Sequence, residues 1–305
     1  MDDARTASLS RAGLDSEPRR IGHQGFVRQV ARRFVRHRLA VAGLIVIVLL
    51  FLAAVFAPLL APYDPEVVNP RDRRQSPLSE GHLLGTDEIG RDVLSRLLYS
   101  GRVSLTVGFA AMLVTVIVGS LIGVVSAYYG GFVDTALMRL TDVFLSFPTI
   151  YLLLVLAAFI RPSTLSITLI VGVTAWMEVA RIVRAQFLSL KAQDFVTAAR
   201  AIGATGPRIM FRELLPNGMA PIIVAATLNV ANAILAESYI SFLGYGIQPP
   251  QASWGQMVGD ASQPGYIQTD PYMLVSPVLA IGLTMLGFTF LGDGMRDALD
   301  VPGTN

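Results

Sequence analysis

Between Arg38 and Asp64 the chain carries no charged side chain, and residues 39–60 inside that interval are all apolar. A helix crossing the hydrocarbon core of a bilayer needs about 20 such residues in a row. A run that is hydrophobic all round, with no polar stripe to face water, has lipid or a deep core as its solvent. Five more stretches follow the same rule: 104–129, 135–160 with a break at Pro148, 163–188, 219–243 and 271–291. The fourth of the six holds Glu178, Arg181 and Arg184 in its final turns, and the fifth contains Glu237. Only 15% of the residues are charged, against about 25% in an ordinary soluble domain. The expected fold is an all-α membrane protein with six transmembrane helices.

Six spans put both termini on one side, and the basic residues say which. Counting Lys and Arg by loop, seventeen fall on the side of the N-terminus and seven on the other. Cytoplasmic loops carry the excess of positive charge, so both termini are expected in the cytoplasm and the protein in the bacterial inner membrane, multi-pass. The first span is read as uncleaved, because its 38-residue leader and 22-residue run exceed the roughly 7–15 apolar residues of a removed leader. Within that leader, residues 1–25 are expected to be disordered. Phe26, Val30 and Phe34 then recur at helical spacing among Arg28, Arg32, Arg33 and Arg36, which suits a basic helix lying on anionic lipid. Across the membrane, residues 61–103 are expected to form an outer segment. There Val93, Leu94, Leu97 and Leu98 make one face of an interfacial helix, and Asp92 and Arg96 pair at i,i+4. Asp87, Glu88 and Asp92 have no calcium-loop spacing and are read as a cap with surface charges.

Enzyme chemistry finds no constellation. There is no cysteine, no G-x-x-x-x-G-K-[ST], no H-E-x-x-H and no G-x-S-x-G, and the three histidines lie far apart. A membrane-embedded enzyme is therefore the weaker class against a pore-forming subunit that catalyses nothing itself. The basic leader lacks the aromatic interleaving that would stack nucleic-acid bases.

The loop 192–218 is the most informative stretch. Asp194 is expected to cap a short helix through Ala198, Ala199 and Ala201, flanked by Arg200, which Gly203 ends in the left-handed conformation. Pro207 opens a second helix that closes near Leu215 and Pro216. A helix–glycine turn–helix of small residues is a shape suited to docking, although an ordinary inter-span loop reads the same way from the pattern alone. Polar groups inside spans face a bundle interior or a cavity, which makes Asn229, Asn232, Glu237 and Ser241 the candidates for a translocation pathway or gate, with Thr174 and Thr284 behind them. The plainer role for the asparagines is helix–helix hydrogen bonding. For Glu237 it is an anchor at the helix end, helped by Ser238 and Ser241.

Thr197-Ala198-Ala199, Gly203 and Leu215-Pro216 resemble the "EAA" loop of binding-protein-dependent ABC importer permeases, with Thr197 where glutamate is usual and Glu213 where an aliphatic residue is usual. Residues 82–97, 237–250 with Ser253-Trp254-Gly255, and 291–300 are similar to the second, C-type, permease of the dipeptide/oligopeptide/nickel branch. The resemblance implies a type I ABC importer permease fold, with a permease core over 104–292, a coupling loop at 192–218 and a cytoplasmic tail at 293–305. It also implies a sister permease, two cytoplasmic ATPase subunits that use ATP and Mg, and an extracytoplasmic solute-binding protein. No cofactor is expected on this chain itself. Di- or oligopeptides are the expected cargo, with nickel chelates, glutathione or opine-like solutes as the alternative. The turn at Gly244, Gly246, Pro249 and Pro250 is expected to be an outer gate or a stiff connector, with Trp254 and Tyr266 at headgroup level. Gly292 and Gly294 are expected to close the sixth span.

Overall fold

The computed structural model describes residues 23–79 and 81–300, and among these the chain is helical, with isolated bridges in place of any sheet. Residues 1–22 of the expected disordered leader lie outside the described residues, while 23–25 belong to the first helix. That helix, α1 (His23–Arg36), turns Val30 and Phe34 partly inward and leaves Arg28, Arg32 and Arg36 exposed. The His37 ring accepts from the Ala40 N–H and starts α2 (Arg38–Val55).

The next helix departs from expectation. α3 (Val93–Tyr129) is one continuous rod of 37 residues, about 55 Å long at ~1.5 Å per residue, so it outruns a core of ~30 Å. The separate interfacial helix is thus absent. Val93–Leu98 are the first turns of α3, capped by Asp92, whose carboxylate accepts from the Ser95 N–H at 2.7 Å. Hydrophobic periodicity cannot distinguish a helix that lies on the surface from one that runs straight into a span.

Two spans are bent. α4 (Gly131–Leu145) and α5 (Thr149–Phe159) meet at 84°, at Pro148, which has no N–H to continue the ladder and pushes Phe147 out of helical geometry. α6 (Thr164–Thr174) and α7 (Trp176–Lys191) meet at 42°. Here Thr174 Oγ1 donates back to the Ile170 and Val171 carbonyls, a side-chain bond of the kind that bends helices. Four helices are long and apolar enough to cross a membrane alone, six if each bent pair is one span.

The segment 192–218 supplies α8 (Asp194–Ala201) and α9, which spans 206–217. α10 (Met219–Phe242), α11 (Trp254–Ala261) and α12 (Tyr272–Leu299) complete the chain. α3 is the axis: α2, α6, α7 and α10 pack around it, and α12 closes on α2 and α10. Small residues let these rods approach closely. A Cβ on Gly119 would fall 2.7 Å from Val179, and one on Gly123 2.6 Å from the Ala180 carbonyl.

Two expectations about the last third are corrected. α12 does not stop at Leu291 but runs to Leu299, and its glycines are packing points instead of caps. A Cβ on Gly292 would meet Leu228 at 2.7 Å, and one on Gly294 would collide with Ala40. Trp254 is not a headgroup belt residue. It is 3% exposed, and its indole N–H donates to the Leu97 carbonyl at 3.0 Å. Tyr266 is half-buried, and the Arg74 guanidinium lies 5.2 Å from its ring centre.

Side-chain bonds show which elements share an end of the bundle. Lys191 Nζ caps the Ala127 and Tyr128 carbonyls, Arg33 reaches the Asp300 carbonyl, and His37 lies 3.4 Å from Asp297. Ile182 and Gln186 of α7 line one cleft with Ala220, Arg296 and Asp300, so both ends of the described chain sit at the end that carries α8 and α9. Tyr272 donates to the Thr86 carbonyl and Trp254 to Ser104, so residues 61–92 and 243–271 occupy the opposite end.

Candidate functional site

The candidate docking element, α8 and α9, is built from its ends inward. Asp194 does not cap α8; it is the first helical residue, and the capping position falls on Gln193 without a side-chain bond. The C-terminus follows the glycine-closed pattern. Gly203 adopts φ +83°, its N–H donates to the Arg200 carbonyl, and the Ala204 N–H reaches the Ala199 carbonyl, both at 3.0 Å. No Cβ clash surrounds Gly203, so the glycine is there for its positive φ alone. Pro207 sits in the first turn of α9. Within α9, Ile209–Leu214 widen into a π-helix, and the Leu215 N–H donates to the Met210 carbonyl. Pro216 has no N–H to offer the preceding turn, so the ladder must loosen here, and such π turns often mark functional positions.

One face of this element is anchored. Val196, Ala199, Ile209, Met210 and Leu214 are buried with Val124, Val183 and Phe187 of α3 and α7. The other face is open: Thr197, Ala198, Arg200, Gly203, Pro207 and Pro216 are exposed, while Leu215 is half-buried. Two large apolar side chains on the open face escaped the sequence reading. Ile202 is 83% exposed and Phe211 46%, flanked by exposed Arg200, Arg208 and Arg212. A single isoleucine in a polar loop gives no periodic signal, which is why it was missed.

The pathway candidates separate into two places. Asn229 and Asn232 line a cleft of about 160 Å³ between α5, α6, α7 and α10, together with Thr149, Thr174 and Glu178. Asn229 donates to the Ala225 carbonyl at 2.8 Å, within its own helix. Glu237 and Ser241 are elsewhere, packed against α3. The Glu237 carboxylate is fully buried and accepts from Ser241 Oγ at 2.6 Å and Ser104 Oγ at 3.2 Å, with Ser253 as a further partner. Ser104 in turn accepts from the Trp254 N–H. One carboxylate therefore ties α3, α10 and the start of α11 together, the geometry of an anchor. Thr284 is buried and bonds the Ala280 carbonyl of its own helix.

At the end bearing 61–92, the expected Asp92–Arg96 pair does not form, and these charges are not on the surface. Asp92 lies 2.9 Å from His82, and both are buried. Arg96 donates to Asp87 at 2.6 Å and reaches Asp260 at 3.4 Å. Burial alone would raise the Asp87 carboxyl. The Arg91 N–H and the guanidinium groups of Arg91 and Arg96 outweigh that and hold it below its ordinary value. Glu88 moves the other way, raised by burial and then by the negative Asp260 and Asp87. Arg74 donates to Asp270 and Thr269. The segment 61–92 is thus clamped onto α11 and the start of α12 by charges far apart in sequence.

Comparison with known proteins agrees with this architecture. Residues 116–301 match the model of the family described as binding-protein-dependent transport system inner membrane component, and residues 25–77 match that of the N-terminal TM domain of oligopeptide transport permease C. The dipeptide transport system permease protein DppC of Alkalihalophilus pseudofirmus is 40% identical over 90% of this chain and 89% of its own length. The oligopeptide transport system permease protein OppC of Bacillus subtilis is 38% identical over 88% of this chain and 87% of its own. Among solved structures, the inward-facing MetNI methionine ABC transporter matches with a TM-score of 0.54 and 22% identity, over 68% of this chain and 97% of that one. At that identity the likeness speaks for the fold.

Proposed function

Given that the chain belongs to the family of binding-protein-dependent transport system inner membrane components, we propose that it forms one half of a transmembrane pore that imports di- or oligopeptides. A sister permease supplies the other half. Of two ATPase subunits on the assembled pore, one docks on α8 and α9 of this chain, and a solute-binding protein docks at the end bearing 61–92 and 243–271. This chain holds no catalytic residue; ATP and Mg belong to the ATPases.

The observation that carries the coupling role is the open face of α8–α9. It presents Ile202 and Phe211 among three arginines, while the opposite face is locked into the bundle by α3 and α7. A rigid apolar knob with a basic rim suits insertion into a cleft on another protein. Peptide cargo is supported by the relatives' function and by a largely apolar cleft that carries two amides, Asn229 and Asn232, and a single carboxylate, Glu178, polar groups able to meet a peptide backbone whatever its side chains.

The test is reconstitution of this chain with its sister permease, ATPases and binding protein in proteoliposomes. ATP-dependent accumulation of labelled di- or oligopeptides is expected. Accumulation of nickel chelates, glutathione or opine-like solutes with peptides excluded would move the cargo to the alternative class. ATP hydrolysis unaffected by the binding protein would reject the coupled importer.

A further inference from the structure

The cleft between α5, α6, α7 and α10 contains a carboxylate that the fold leaves without a partner. Glu178 lies near the middle of the bent pair α6–α7, and Asn229 and Asn232 lie near the middle of α10. The three groups line one cleft, each inside its helix, and Glu178 and Asn232 are exposed to it. The other charged side chains of α7 are all engaged. Arg181 donates to Asp142 at 2.5 Å, and Arg184 grips Asp134 through two nitrogens at 2.5 and 2.6 Å. Lys191 caps the end of α3. Glu178 has neither an ion pair nor a hydrogen bond to its carboxylate among the described residues.

A carboxylate within a span is costly unless water or a cation meets it, and polar groups there mark pathways. The neighbouring groups say which cation. Asn232 is exposed, with its amide unengaged among the described residues, and Asn229 keeps its carbonyl oxygen after donating one N–H to its own helix. One negative group beside two neutral amides matches a terminal ammonium, which has three donors and no acceptor, followed by a peptide bond, which has one of each. A metal cation would call for more carboxylates than one. The cleft's 160 Å³ is about half the smallest ordinary ligand pocket of ~300 Å³, the size expected if a facing subunit completes it.

We propose that Glu178, with Asn229 and Asn232, forms a mid-membrane site that receives the protonated amino terminus of a peptide in transit. The proposal rests on the peptide-import reading above and adds the atoms that would recognise the cargo.

The absence of cysteine from the sequence allows a test that survives a folding defect in any one variant. In the assembled transporter, Glu178→Cys should react with small charged thiosulfonates, and turnover with peptide should change the rate. Delivery of a sulfonate should restore uptake, whereas a quaternary ammonium should not. In parallel, Glu178→Gln should lower peptide uptake about tenfold per assembled complex, and Glu178→Asp should retain most of it. Failure of Glu178→Cys to react under turnover would place the side chain against lipid or a facing helix and overturn the proposal. Equal uptake with either reagent would do the same. A wild-type transporter that moves no peptide is a different outcome: it rejects the import reading. Peptide uptake that is indifferent to charge at 178 rejects only this site.

Discussion

At the scale of single residues, the side chain that most rewards comparison is Glu237. Its position in an apolar span marks it as special, but its meaning depends on what surrounds it. Ser104 comes from a helix 133 residues earlier, and Ser241 from the next turn of its own. A carboxylate receiving several hydroxyl donors organises structure, and its amide analogue retains the shape and an acceptor. Glu237→Gln should therefore leave peptide uptake within about twofold, since the remaining hydroxyl bonds to a neutral acceptor cost little to re-form. Glu237→Ala should lower the amount of assembled protein, because each buried hydroxyl left unmet costs about 1–3 kcal/mol. Immunoblotting of membranes beside uptake separates the two. Lost uptake at a normal protein level in Glu237→Gln would put Glu237 in the pathway after all.

At the scale of elements, α8 and α9 show how a local code survives folding. The positive φ at Gly203 and the helix start at Pro207 are properties of three or four consecutive residues, and both are where the pattern puts them. A β-branched side chain in the left-handed region costs about 1–2 kcal/mol and distorts the turn. Gly203→Val should abolish binding-protein-stimulated ATP hydrolysis and uptake while the bundle, which does not pack against Gly203, still reaches the membrane. Normal coupling in Gly203→Val, measured as stimulated phosphate release from the reconstituted complex, would remove the docking role from this turn. The bends at Pro148 and Ala175 differ in legibility. Proline announces its break, whereas the second bend arises from a threonine hydroxyl turned back on its own helix, one of several threonines in apolar runs.

At the scale of the whole molecule, the bundle has two unlike ends. One gathers α1, α8, α9 and the end of α12; the other carries residues 61–92 and the connector after α10. The basic side chains are concentrated on the first, so the positive-inside rule predicts that this end faces the cytoplasm. Single cysteines in this cysteine-free chain test it directly. Gly203→Cys should be labelled by a membrane-impermeant maleimide only from the cytoplasmic face, and Gln251→Cys only from the outer face. Labelling of both from one face would refute the six-span arrangement, however the bent pairs are counted.

The lesson for reading such a chain lies in the range over which each physical cause acts. Span existence, the glycine turn, the proline break and the resemblance to transport permeases follow from runs of adjacent residues, because desolvation of an apolar helix and the φ preferences of glycine and proline are local. What the tertiary structure alone decided are the pairings. Gly292 and Gly294 look like terminators until Leu228 and Ala40 occupy the space where their side chains would be. Trp254 looks like an interface belt until its N–H finds the Leu97 carbonyl. Arg96 sits at the right spacing for Asp92 but is taken by Asp87 and Asp260, leaving Asp92 to cap α3 and to meet His82. Glu178 sits among arginines that turn to Asp134 and Asp142, and so it alone faces the cleft uncompensated. A charge in low dielectric takes whichever partner the fold brings within about 3 Å, and sequence spacing says nothing of partners that lie a hundred residues away.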